Sequence, residues 1–406
     1  MDNVVVVSRC GIESVEMNAY LNQKTNIKRL QYGPDKCHQL HIGKNNILCP
    51  DLYIDQWKLA KKDDLKTGVE NLEDVLGDQY KLENVLDDKY LGDMISVDGR
   101  NTKNIAAQVA KATGILKQVK NILEDMCLGP FYLEVALVLR NSLFLNGFLT
   151  NLESSYGLTD AEIEQLEKVD EQLLRAILEC PCSVPKEMLY LELGVTPIRY
   201  IIMCRRLLFY QEILKQPNNS LMFYQTQHSN PTKNDWCLTV KTNMETLNIQ
   251  KSESELKLIS EFSFNKLAKA AVKKESFQYL NSLKSGHSKV LHIQYDHLKM
   301  QDYFLTNKLS TQLRKFTFLC RSRMLAVGAN FKAGNQNPLC PISKVAYDNQ
   351  CHLLVCDKLL GNKSICEVIP QYDDLFSPNL EKKVAVVRIL SENFKIRQKF
   401  MKLDKS

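Results

Sequence analysis

The chain has 406 residues, of which 44% are hydrophobic and 25% charged, with only 16 Gly and 12 Pro. These proportions exclude wholesale disorder and the collagen-like and low-complexity classes, and the length allows roughly two to three domains. A net charge of +6 hides two opposite regions: residues 51–100 hold 13 acids against 7 bases, and residues 257–332 hold 14 bases against 4 acids.

In chain order, Val4 to Val7 is a β-branched run that predicts a strand, and Ile12 to Leu21 predicts a short helix. The turn Gly33-Pro34-Asp35 precedes two further strand candidates, Gln39 to Ile42 and Leu52 to Leu59. Residues 61–88 are acidic and weakly patterned, so they predict a surface loop, with a short strand near Tyr90.

From about residue 101 the period changes. Ile105, Val109, Ala112, Leu116, Val119 and Leu123 form one face of an amphipathic helix. Phe131 to Leu145 is apolar nearly all round, which predicts a central helix. Thr159-Asp160-Ala161-Glu162 is a capping box, and Ile163, Leu166, Val169, Leu173 and Ile177 supply the stripe behind it. Thr196-Pro197 reads as an N-cap followed by a proline at the first helical position. Asn234 to Leu247, Phe264 to Leu283 and the basic stretch Lys308 to Leu325 predict three more helices, and Gly328 to Pro338 predicts a loop.

The longest apolar stretch, Tyr132 to Leu149, is broken by Glu134, Arg140, Asn141 and Asn146, so no membrane-spanning segment is expected. Asp2 stands where a signal peptide would carry lysines. The 13 cysteines then read as free thiols, and a nuclear or cytoplasmic location is expected. Cys10, Cys127, Cys204 and Cys320 read as buried thiols, and Cys180-Pro181-Cys182 as structural. The basic stretch 257–332 would attract a polyanion, most commonly RNA or DNA.

Six segments occur in a telling order: Asp35 to Gly43, Lys89 to Gly92, Asn101 to Ile105, Leu139 to Leu143, Pro185 to Gly194 and Asn230 to Trp236. Together they resemble the C-terminal half of reverse transcriptases encoded by non-LTR retrotransposons, in the group with a terminal Cys/His knuckle. The resemblance covers nearly the whole chain. It implies RNA-directed DNA synthesis with magnesium, primed from a nicked DNA target. The family's second catalytic block is an Asp-Asp pair ahead of an apolar strand, and Asp2-Asn3 matches it here before Val4 to Val7. The other catalytic aspartate and the fingers would lie before Met1, so the chain alone is expected to be inactive as a polymerase. Two magnesium ions need clustered carboxylates. Lys36 resembles the lysine near the leaving pyrophosphate, and Tyr90, Leu91 and Gly92 resemble the primer-grip turn.

The expected architecture is mainly α. A small α/β palm remnant spans 1–100, a helical thumb-like domain 101–215, and a basic helical region 216–334. A knuckle-like segment spans 335–366, and a short helical tail 367–406. Backbone contacts to nucleic acid are expected from Lys269, Lys273, Lys274, Arg314, Lys315, Arg321 and Arg323. Phe277, Tyr279, Phe316 and Phe318 either stack on bases or belong to the core. Cys340, His352 and Cys356 supply three of the four zinc ligands of the family's knuckle, with Ser343 where a second cysteine would stand. Cys351 and Cys366 are alternative fourth donors without the expected geometry, and the competing reading of the segment is a collapsed knuckle without metal, whose cysteines and leucines pack as small hydrophobes. Without metal, residues 335–366 are expected to have little core and to be locally disordered. Asp373-Asp374 and Glu381-Lys382-Lys383 read as a solvated acidic turn and a basic helix rather than a nuclease. The competing reading is a helical interaction protein without nucleic-acid function.

Overall fold

The computed structural model describes residues 38–39, 53–57, 76–81, 83–84, 87–90, 93–96, 98, 100–125, 129, 131–155, 157–217, 236–287, 290, 293–325, 327, 339–356, 359 and 371–403. It divides into two units, residues Met1–Ala107 and Gln108–Ser406. The expected strand Val4 to Val7, the helix Ile12 to Leu21 and the loop Gly328 to Pro338 lie outside the described residues.

The first unit carries short strands. β1 (His38–Gln39) pairs in parallel with β4 (Glu83–Asn84), and β2 (Tyr53–Trp57) pairs antiparallel with β3 (Leu76–Lys81). β5 (Asp87–Tyr90) and β6 (Asp93–Ser96) form an antiparallel pair. Strands therefore occupy part of the acidic stretch that reads as a loop. A β-rich partner such as Tyr53–Trp57 recruits Leu76–Lys81 despite its charge, because strand preference follows the neighbour as much as the segment itself. The Asn104 side chain pins the end of the β5–β6 pair: it accepts from the Met94 amide at 3.1 Å and donates to Asp93 at 3.4 Å.

The second unit is helical. α1 (Thr102–Asp125) starts in the first unit and buries the expected stripe, Ala112, Leu116, Val119 and Leu123. α2 (Tyr132–Leu139) continues through a π-helical turn, Arg140–Leu145, into the short turn Asn146–Phe148. This helix is not central all round: Phe131 is 70% and Val138 61% exposed, while Tyr132, Leu133, Ala136, Phe144 and Phe148 are buried. α3 (Asp160–Leu178) starts at the expected capping box, with Thr159 Oγ1 accepting from the Glu162 amide and Glu162 accepting from the Thr159 amide.

α4 (Lys186–Leu193) has no exposed face from Glu187 onward, acids included. It ends at Gly194, whose φ of +66° is left-handed, and a Cβ there would meet the Lys299 and Met300 backbone at 2.1 Å. Antiparallel pairing of Leu193 with Met300 explains that close approach. α5 (Ile198–Lys215) starts after Pro197 with no side-chain cap, so Thr196 does not cap it; the Thr196 carbonyl accepts from Arg140 Nη2 instead.

α6 (Trp236–Thr246), α7 (Glu253–Leu258) and α8 (Glu261–Ser285) pack on α5 through one core that includes Tyr200, Leu207, Tyr210, Val240, Leu256, Phe264 and Val272. The short α9 (Asp302–Leu305), then α10 (Thr311–Arg321) and α11 (Gln350–Val355) follow. A 3-10 turn, Tyr372–Phe376, leads into α12 (Leu380–Leu403), which packs on α10 and α11. The chain is mainly helical, as expected. Among the described residues no helix is long and apolar enough to cross a membrane.

Candidate metal centre and basic surface

The knuckle segment forms a compact hairpin and helix. Leu339 bridges Tyr347, and the Cys340 amide donates to the Ala346 carbonyl at 2.7 Å. Lys344, with a left-handed φ of 59°, turns the hairpin and donates its amide to the Cys340 carbonyl. Asn349 caps α11 by accepting from the His352 amide at 2.8 Å. This geometry brings together Cys340, His352 and Cys356, whose ligand atoms all lie within 4.8 Å of one another. Cys340 and Cys356 are fully buried, whereas His352 and Ser343 are half-buried. The Ser343 amide donates to Cys340 Sγ at 3.5 Å, and its hydroxyl shares a hydrogen bond with His352 Nε2 at 3.3 Å. Cys351 is exposed and lies outside the group. Cys366 lies outside the described residues.

Two soft thiol donors and an imidazole form a donor set that suits a zinc-class ion. The segment also has more core than its sequence suggests. Leu353 and Leu354 are buried, Asn393 Nδ2 on α12 donates to the Leu353 carbonyl at 2.6 Å, and Arg397 forms a buried ion pair with Asp348. The described part, 339–356, thus packs on α12, which corrects the expectation of little core there.

The expected basic surface divides in two. On α8, Lys269, Lys273 and Lys274 are exposed, joined by Lys266. Phe277 is half-buried beside them; Tyr279 lies against Tyr200 and under Arg199. On α10 the expectation is overturned for three cations. Arg314 is 3% exposed and donates to the Thr306 and Leu309 carbonyls. Lys315 is 4% exposed, 2.6 Å from Glu179 Oε1 and over the Tyr132 ring at 4.1 Å. Arg321 is 3% exposed, donating to Glu192 at 2.9 Å and to the Leu375 carbonyl at 2.9 Å. These groups are consumed inside the fold, because a buried cation must be paired there. Arg323 alone of the α10 set is exposed, at a left-handed φ of 53°. Phe318 is core, and Phe316 packs on Phe394.

Glu192 is the acid the sequence reading missed. It is fully buried and accepts from Arg321, from Tyr295 at 2.5 Å and from Tyr303 at 2.8 Å. Burial first, and then the Glu192 charge, push both tyrosines well above their ordinary pKa. Burial pulls Arg321 down, but Glu192 and the two tyrosines more than offset it and hold the guanidinium above its usual value. A second buried pair joins Arg140 to Asp170 through bonds of 2.7 and 2.6 Å, with Tyr190 also donating to Asp170. The signal that could have found Glu192 is its place in Met188 to Leu193, where no polar face exists to carry a charge.

Asp2 and Lys36 lie outside the described residues, as do Leu91 and Gly92; Tyr90 closes β5. Cys204 and Cys320 are buried, as expected, whereas Cys180 is half-buried and Cys182 exposed; Cys10 and Cys127 lie outside the described residues. Asp374 accepts from the Gln371 amide and lies 3.6 Å from Lys382, and Glu381 pairs with Lys308. No family model, curated protein or solved structure matches the chain.

Proposed function

We propose that this chain is the C-terminal part of a non-LTR retrotransposon reverse transcriptase that binds nucleic acid and lacks a complete polymerase centre of its own. The observation that carries the reading is the convergence of Cys340, His352 and Cys356, the residues that the resemblance requires to meet. In this reading the three residues hold zinc, which supplies a structural cross-link between hairpin and helix. The exposed lysines of α8 contact backbone phosphates and release counterions. Magnesium belongs to the intact family enzyme, and the carboxylate implied for it here is Asp2.

Two assays test this. The purified chain should retain a single-stranded RNA or DNA probe at low salt, and it should give no primer extension with magnesium. Detectable RNA copying would overturn the incomplete-centre reading, and absent binding would overturn the nucleic-acid reading. The second reading is a helical interaction protein. It is favoured by the consumption of Arg314, Lys315 and Arg321 inside the fold and by the exposed Phe131 and Val138 on α2. A folded chain indifferent to nucleic acid would decide for it.

A further inference from the structure

We propose that the Cys340–His352–Cys356 centre is an open metal site, whose fourth position, beside Ser343, faces solvent and takes a water or a small anion. The inference rests on the metal part of the proposed function and concerns how this chain departs from a closed four-ligand knuckle.

Three observations carry it. The first is burial. The two thiols are fully buried, while His352 and Ser343 are half-buried, so the accessible side of the centre is the side away from the sulfurs. The second is distance. Zinc bonds to nitrogen and oxygen of about 2.0–2.1 Å give tetrahedron edges of roughly 3.3–3.4 Å. Ser343 Oγ lies 3.3 Å from His352 Nε2, so the hydroxyl stands beside the histidine, within hydrogen-bond reach of a ligand in the fourth position. The third is chemistry. A neutral serine hydroxyl is a poor donor to zinc beside two thiolates, and the Ser343 amide already serves Cys340 Sγ. Cys351 does not close the shell, since it is exposed and outside the converging group.

Two thiolates and one imidazole leave a divalent ion with no net charge to repel an incoming anion. Exposed Lys344 follows Ser343 directly, which favours an anion further. Closed structural zinc sites use all four protein ligands, and sites with an open position exchange their fourth ligand. The Ser343 hydroxyl would then hydrogen-bond the exchangeable ligand rather than replace it.

The test uses the full chain loaded with cobalt(II), whose visible spectrum reads coordination directly, with azide as the anion. Wild type should show a tetrahedral thiolate spectrum that azide shifts. Ser343→Cys should bind the metal at least about tenfold more tightly and become insensitive to azide. Cys351→Ser should match wild type. An azide-insensitive wild type, a Ser343→Cys variant no tighter than wild type, or loss of the spectrum in Cys351→Ser would each overturn the open site while leaving the knuckle in place. No cobalt uptake by wild type would remove the open site and the proposed metal role together. If Ser343→Cys does not fold, the azide response and Cys351→Ser decide the question alone.

Discussion

The helices α8 and α10 have similar sequences in one respect: both are rich in lysine or arginine among aromatic residues. In the folded chain they differ. The α8 lysines 269, 273 and 274 project to solvent, whereas Arg314, Lys315 and Arg321 of α10 are almost fully enclosed. The difference lies in what each helix packs against. α8 packs on α4 and α5 and leaves its lysine face exposed among the described residues, whereas α10 is covered by α9 and α12. A positive charge on a covered helix survives only if acids or carbonyls reach it, and Glu179, Glu192 and the carbonyls of Thr306, Leu309 and Leu375 do so. Composition measures the total charge of a segment; partners decide how much of it a polyanion can meet.

The largest effect should come from breaking that enclosure. Glu192→Ala leaves Arg321 buried without its acid, and it should cost about 3–5 kcal/mol of stability, read by urea denaturation. An unchanged midpoint would mean that Arg321 is not held as described. Lys315→Met sharpens the contrast. It should lower stability by roughly 1–2 kcal/mol through the lost Glu179 and Tyr132 contacts, yet leave nucleic-acid affinity within error. A fall in affinity would place α10 back on the binding surface.

Smaller still is the effect at Cys180. Burial pushes its thiol up to about 11, with Arg175 opposing, and Cys182 is exposed. A thiol raised in the folded state holds a proton that the unfolded chain releases. Its stabilising contribution is complete below pH 9 and is lost as pH rises through 11. Alkylation of Cys180 should therefore keep accelerating with pH up to about 11 and trail Cys182 at pH 8, as mass spectrometry of iodoacetamide-treated protein would show. Faster labelling of Cys180 at pH 8 would contradict its burial.

Much of the helical body was legible. The stripe from Ile105 to Leu123 and the Thr159–Glu162 capping box are local patterns, set within a few residues of one another. The convergence of Cys340, His352 and Cys356 was also legible, because hairpin and helix lie within one short segment. Pairings across long stretches were not. Lys315 meets Glu179 over 136 residues, and Arg321 meets Glu192 over 129, so no window on the sequence contains both partners. Thr196 looked like a cap by residue type, yet its carbonyl is claimed by Arg140 from 56 residues away. The half-exposed α2 misled for a related reason. Its apolar content is uniform, and only the packing of neighbouring helices decides which side is covered.

The contrast between the two helices comes to a single titration. Affinity for a single-stranded RNA probe, measured by fluorescence anisotropy from low to moderate salt, should fall steeply for the wild-type chain. In a chain with Lys269, Lys273 and Lys274 all changed to alanine, the slope of log affinity against log salt should be shallower by about 2, each lost phosphate contact removing roughly 0.7 on a single strand. An identical slope in the two chains, or binding indifferent to salt, would contradict the claim that α8 is where this protein meets nucleic acid.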